Sequence, residues 1–345
     1  MSVSAMVTEV RQYVSLHDKT TLKIGGAARY YVEAETLDDV QAAGAFALEK
    51  RLPLFVLGGG SNILVADDGV EAVVLKNSLR GREVVVENDG TVLYTLGAGE
   101  VLDDVIADCV ARGWWGIENL SAIPGSIGAV PVQNVGAYGV EASEVIASVT
   151  VYDYITGEST ILSNVECDFG YRDSIFKSPR GKTCIVTAVT FKLSTTPSPK
   201  LSYADLARYF DGRVPTLYEI RQAVIGIRGA KFPDWHVVGT AGSFFKNPII
   251  TNAEALRIKE QYPLLPMYPA TPGYTKVSLG FILDKICGLK GYHDGCVGLY
   301  EQQALVLVTK PGATAREVQT FAEYVQQIVR TKTAITIEWE VQKIS

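Results

Sequence analysis

Histidine is scarce in this sequence: His17, His236 and His293 are the only three in 345 residues, and no two have metal-ligand spacing. Zinc chemistry and a histidine base are therefore poor fits. The five cysteines, Cys109, Cys167, Cys184, Cys287 and Cys296, are scattered, odd in number and form no C-x-x-C. That argues against a disulfide framework and for a reducing compartment. Positive charge is not in excess, since the net charge is −6. Nothing favours nucleic acid or an anionic membrane as partner. No apolar run approaches a membrane span, and the opening MSVSAMVTEVRQYV lacks the apolar core of a signal peptide. A cytoplasmic location is expected. Also absent are a G-x-G-x-x-G that opens a helix and a G-x-x-x-x-G-K-[ST], which disfavours Rossmann and P-loop readings.

What is present is an ordinary globular composition, 47% hydrophobic and 20% charged, long enough for two or three domains. Residues 21–35 read as strand-turn-strand about Gly25-Gly26. Residues 37–51 read as a helix, with Asp38 and Asp39 in its first turn and Lys50 and Arg51 in its last. Short strands are predicted across 70–100, 146–153, 159–163 and 183–193, and a helix over 101–112. TPSPKLSY, 196–203, reads as an exposed connection. Capping boxes are predicted at Thr216/Glu219, Thr251/Glu254 and Thr314/Glu317. The last opens the clearest helix, whose Val318, Phe321, Ala322, Val325, Ile328 and Val329 form one apolar face. AITIEWEVQKI closes the chain as a strand pattern that puts Glu338 and Glu340 on one face. The fold class is α+β: a strand-rich first half, a more helical segment and a final strand.

Two glycine-rich stretches stand out. LGGGSNILV offers Gly58, Gly59, Gly60, Ser61 and Asn62, either as a nest of backbone donors for a diphosphate or as a tight turn between two strands. IPGSIGAVPVQNVGAYG, 123–139, carries Gly125, Ser126, Gly128, Gln133, Asn134, Gly136, Ala137 and Gly139. So many small residues suit a backbone wrapped closely about a flat or phosphorylated ligand, or else a long irregular loop.

Taken in order, GGGSN at 58–62, IPGSIGAVPVQNVGAYG at 123–139, GYRDSIFK at 170–177 and GSFFKNP at 242–248 resemble the UDP-N-acetylenolpyruvoylglucosamine reductase (MurB) family over nearly the whole chain. The resemblance implies an FAD-binding fold of the vanillyl-alcohol oxidase/PCMH type plus a smaller α+β substrate-binding domain. The implied boundaries are 1–77 and 78–232 for two FAD-binding subdomains, the second joined by a C-terminal strand 334–345, and 233–333 for the substrate domain. It also implies non-covalent FAD, because neither glycine-rich stretch contains histidine. NADPH is the implied hydride donor, and the implied substrate is the enolpyruvyl ether of UDP-N-acetylglucosamine, reduced to UDP-N-acetylmuramate for peptidoglycan synthesis.

By the same resemblance, Arg172 is the catalytic arginine, Ser243 the proton donor and Glu340 the third catalytic residue. Tyr171, Lys231, Asn247, Tyr268, Lys290 and Gln303 are implied substrate contacts. Tyr203, in LSYADL, matches a tyrosine carried on a loop in the longer type of the family. The chain departs from the family pattern at Trp339, where a smaller residue or proline is expected. Partners are then small molecules only, with no metal, and a monomer suffices. Two rival readings are a flavin-dependent sugar or alcohol oxidase of the same fold and a non-catalytic nucleotide-sugar-binding protein.

Overall fold

Residues 8–345 are described by a computed structural model. Residues 1–7, which begin the stretch weighed above as a signal peptide, lie outside the described residues. The chain divides into two compact units. The first comprises Met1–Val14, Ala28–Gly60 and Glu71–Arg228, and the second comprises Ser15–Ala27, Ser61–Val70 and Gly229–Ser345.

Two sheets organise the first unit, each with its own core. One is four-stranded, in the order Val10–Ser15, Ala27–Ala34, Val70–Asn77, Leu54–Leu57. The helix Leu37–Lys50 packs on it through Val40, Ala43 and Ala47, against Val32, Val73 and Leu75. That helix starts where expected because the Thr36 hydroxyl accepts the Asp39 N–H while Asp39 accepts the Thr36 N–H. It stops at Arg51, whose left-handed backbone (φ 54) closes the last turn.

The other sheet is five-stranded and antiparallel: Glu158–Ser163, Ile146–Asp153, Cys184–Ser194, Thr91–Gly97, Arg82–Val86. Its core joins Tyr94, Leu96, Val149, Val189 and Phe191 to Leu102 and Ile106 of the helix Leu102–Ala111. The helices Ala204–Phe210 and Leu217–Lys231 bury Leu206, Phe210, Ile220 and Val224 with Trp115 and Tyr138.

In the second unit a core lies under the helix Ala315–Thr333. Val318, Phe321, Ala322, Val325 and Val329 are buried on the predicted face, with Ile328 partly buried. Asp67 accepts the Ala315 and Arg316 N–H groups at 2.7 and 2.9 Å, so a carboxylate meets the positive end of that helix. All three predicted capping boxes form.

Three expectations change. Residues 21–24 are not a strand: Leu22 and Ile24 are apolar because they enter the second unit's core, and Gly25 packs on Val65. The C-terminal strand is confined to Gln342–Ile344, paired in parallel with Ile63–Val65. Among the described residues the segment before it makes one isolated bridge, Trp339–Phe245. The region after 232 is also less helical than expected. It holds a four-stranded sheet (Gly239–Ser243, Val306–Thr309, Val297–Leu299, His293–Asp294) and a three-stranded one (Ile249–Thr251, Tyr274–Val277, Met267–Pro269). Strands this short carry too few alternations to show a period.

Candidate active site

The stretch Gly58–Asn62 is not a hairpin turn. Leu57 ends a strand paired in parallel with Val70–Asn77, whereas Ile63 begins one paired in parallel with Gln342–Ile344. Within the first unit, Gly58 and Gly59 instead meet the second glycine-rich stretch. A Cβ on Gly59 would lie 2.7 Å from Gly125 Cα, and one on Gly58 would lie 2.5 Å from Ser126 Oγ. The two loops can touch only because these positions lack side chains. Gly60 takes a positive φ of 65, which helps turn successive N–H groups outward. Among the described residues the Gly59 and Gly60 N–H groups have no protein acceptor. Small residues packed backbone to backbone, with donors left over, fit the pyrophosphate of a dinucleotide.

The far end of the second stretch is regular. Gly136–Ala137 pairs with Val140–Glu141 across Tyr138 and Gly139, both at positive φ (49 and 82). This is the backbone of a type I′ hairpin, and it accounts for Gly139 by local geometry. Asn134, 1% exposed, ties the region together. Its Nδ2 donates to Gly170 O and to Glu141 Oε2, each at 3.0 Å, and its Oδ1 accepts the Ser143 N–H at 2.9 Å. Its amide therefore shapes the loop. Gly128 sits close to Ala98, whose carbonyl accepts its N–H, and Gln133 and Ala137 are half-buried beside them in sequence.

Arg172 occupies a two-residue turn closed by reciprocal Gly170–Asp173 backbone bonds of 3.0 and 3.2 Å. Its φ is 55, a left-handed value ordinarily given to glycine at the third position of a type II turn. Placing an arginine there costs about 1–2 kcal/mol. The guanidinium is held over the hairpin: Nη2 donates to Gly136 O at 2.8 Å and Nη1 to Asn134 O at 3.4 Å. Lys177 secures the turn by donating to Arg172 O at 2.6 Å. Tyr171 lies alongside, with its ring 5.7 Å from the guanidinium carbon.

Tyr203, 42% exposed, sits at the start of Ala204–Phe210 with its ring edge-on to Tyr138 at 5.2 Å. Burial pushes the Tyr138 phenol up to about 12, against a smaller opposing effect of the Arg228 charge, so it stays protonated at neutral pH. Asp103, nearby in the same network, is pushed up by burial. The Arg221 fork at 2.6 and 2.9 Å and the Ala122 N–H outweigh that and hold it below the usual carboxylate range.

In the second unit a β-bulge aims Ser243. Thr240 pairs with Val308 and Ser243 with Val306, so one extra residue is accommodated, with Gly242 at φ 71. Phe244 and Phe245 follow at 0% and 1% exposure and anchor the loop in the core. The Ser243 hydroxyl makes no hydrogen bond to protein among the described residues.

Glu340 is brought beside this loop, since its N–H donates to Phe244 O at 2.8 Å. Asn62 Nδ2 donates to Glu340 O at 3.1 Å, and Ser61 precedes it at the start of the unit's segment. The two glutamates separate clearly: Glu338 is exposed and paired with Lys246 at 3.1 Å, whereas Glu340 is half-buried.

The other predicted contacts are spread through this unit. Asn247 Oδ1 accepts the Leu279 N–H at 3.0 Å, and Gln303 Oε1 accepts the Leu305 N–H at 3.3 Å. Lys290 pairs with Asp284 at 3.9 Å, and Lys231 ends the helix that began at Leu217. Tyr268 stands directly opposite Lys276 across two short strands. Cross-strand partners share a face, so Lys276 joins the candidate cations. Its only sequence signal was one charge in the brief alternation YTKV.

A family model described as an FAD binding domain matches residues 28–163. A second, described as the UDP-N-acetylenolpyruvoylglucosamine reductase C-terminal domain, matches residues 233–344. UDP-N-acetylenolpyruvoylglucosamine reductases from Chromobacterium violaceum and Pseudomonas aeruginosa are each 39% identical to the chain, over 97% of it and 99% of themselves. The crystal structure of UDP-N-acetylenolpyruvylglucosamine reductase (MurB) from Thermus caldophilus superposes with a TM-score of 0.69 at 26% identity, covering 98% of this chain and 100% of that one. The fold is that of an FAD-binding oxidoreductase. Within that class, the chain belongs to the UDP-N-acetylenolpyruvoylglucosamine reductase family.

Proposed function

We propose that this protein uses NADPH to reduce the enolpyruvyl ether of UDP-N-acetylglucosamine to UDP-N-acetylmuramate, a peptidoglycan precursor, in the bacterial cytoplasm. The observation that carries this reading is the bulge at Gly242, which sets Ser243 one residue before Phe244, whose carbonyl accepts the Glu340 N–H. FAD, bound without a covalent link, supplies hydride transfer from NADPH to the methylene carbon of the enol ether. What the chain must then handle is negative charge on the carbon that bears the carboxylate.

Arg172 grips that carboxylate and stabilises the charge as it develops. Its position on the hairpin carbonyls presets the guanidinium, so little reorganisation is needed during reaction. Ser243 gives its proton to the same carbon. A serine hydroxyl is a weak acid toward water, yet a carbanion-like centre is basic enough to take its proton. Glu340 orients the substrate carboxylate or returns a proton to Ser243. Tyr203 and Tyr171 line the nucleotide-sugar path, and Lys231, Lys276 and Lys290 offset the diphosphate charge. Asn247, Tyr268 and Gln303 hydrogen-bond the nucleotide sugar. Gly58–Asn62 and Gly125–Gly139 hold FAD, with Asn134 acting through loop shape.

The test is NADPH oxidation by the FAD-loaded protein. Steady consumption is expected only when the enolpyruvyl sugar is added. Flavin bleached by a sugar or alcohol and reoxidised by oxygen, with no NADPH consumed, would instead support an oxidase. A second expectation concerns the loops. Gly59→Ala forces Gly59 and Gly125 apart, an overpacking worth about 1–3 kcal/mol. FAD should bind at least about tenfold more weakly by fluorescence titration, and the apoprotein should melt a few degrees lower. Undiminished FAD affinity would remove these glycines from the cofactor site.

A further inference from the structure

Glu340 stands on a stretch that belongs to no sheet. Between the helix Ala315–Thr333 and the strand Gln342–Ile344, the chain makes one isolated bridge among the described residues, Trp339–Phe245. Backbone bonds hold it on alternate residues: Lys246 N–H to Glu338 O at 3.0 Å, and Glu340 N–H to Phe244 O at 2.8 Å. Irregular segments with few bonds open easily, yet a reacting group needs a fixed place.

Side chains supply the missing constraint. The Trp339 ring meets Phe244 edge-on, with centroids 5.0 Å apart and planes at 64°. Its Nε1–H donates to Gln326 Oε1 at 3.2 Å, and Gln326 Nε2 donates to Ile337 O at 2.7 Å. Indole nitrogen only donates and a carbonyl only accepts, so these partners fix which way the Gln326 amide points. One amide on the long helix therefore grips the segment at two points, three residues and one residue before Glu340. Trp339 adjoins Glu340 in sequence and Phe244 adjoins Ser243, so the two rings couple the two candidate groups.

We infer that Gln326 and Trp339 are positioning residues, a clamp that sets Glu340 relative to Ser243; this rests on the reductase reading above. It also gives a role to Trp339, the residue at which the chain departs from its family's pattern. Glutamate at 326 keeps the acceptor for the indole but faces the Ile337 carbonyl with a carboxylate. Leucine can make neither bond, and Trp339→Phe keeps an aromatic ring without the donor.

The experiment compares Gln326→Leu, Gln326→Glu and Trp339→Phe as FAD-loaded enzymes. Reoxidation by the enolpyruvyl sugar should slow about tenfold in Gln326→Leu and Trp339→Phe, with KM nearly unchanged. Bleaching of the flavin by NADPH should keep its wild-type rate. The Gln326→Leu/Trp339→Phe double variant should be little slower than the worse single, because both break one device. Amide hydrogen exchange over 337–341 should quicken in all three single variants. If a core variant fails to fold, Gln326→Glu, which is nearly isosteric, carries the test. Faster exchange with wild-type reoxidation, unchanged exchange, or equal slowing of both half-reactions would overturn the clamp. A wild-type protein that never reoxidises with the sugar would overturn the reductase reading together with it.

Discussion

Ser243→Ala should still let NADPH bleach the flavin at the normal rate, while reoxidation by the enolpyruvyl sugar falls about a thousandfold. The size follows from the general contribution of a placed proton donor, about 10²–10⁴ in rate. The selectivity follows from what the side chain touches. Its hydroxyl bonds no protein group among the described residues, and the loop is held by Phe244, Phe245 and the bulge rather than by Ser243 itself. Removing one oxygen should therefore leave the melting temperature and the bound FAD unchanged. Stopped-flow absorbance separates the two half-reactions. If both slow equally, Ser243 is structural and the proton comes from elsewhere.

Arg172→Ala should lower turnover about 10²–10³-fold, the usual loss when a charge-stabilising donor is removed. FAD content should be kept. The turn adds a discriminating comparison. Alanine at φ 55 retains most of the left-handed penalty, whereas glycine does not. Arg172→Gly should thus be more stable than Arg172→Ala by about 1 kcal/mol in denaturant unfolding, and equally inactive. An arginine where glycine would sit more easily is stored strain, of the kind that clusters at functional sites. Arg172→Gly with wild-type turnover would remove the guanidinium from the chemistry. A flavin-free Arg172→Ala would make it a structural prop.

Helix termini were legible because their signals are local. Thr251/Glu254 and Thr314/Glu317 close reciprocal bonds within one turn, so spacing alone announces them. The long antiparallel strands of the first unit were legible for a similar reason, since alternation over six or more residues reports one buried face. Leu22 and Ile24 misled because burial in a loop leaves the same apolar signature as burial in a strand. The terminal segment misled because its alternation is real but its partners are mixed: Gln326, Phe244, Asn62 and a short parallel strand.

Residue types and their order decided the family, the α+β class and the names of the candidate groups. Packing decided which of two glutamates faces solvent, that GGGSN is loop against loop rather than a hairpin, and that Asn134 spends its amide on the protein. Those outcomes turn on pairs far apart in the chain, such as Asn134 with Gly170, Phe244 with Glu340 and Gly59 with Gly125. A spacing rule reads neighbours along the backbone, whereas a hydrogen bond or steric contact depends only on distance in space, and folding sets that distance.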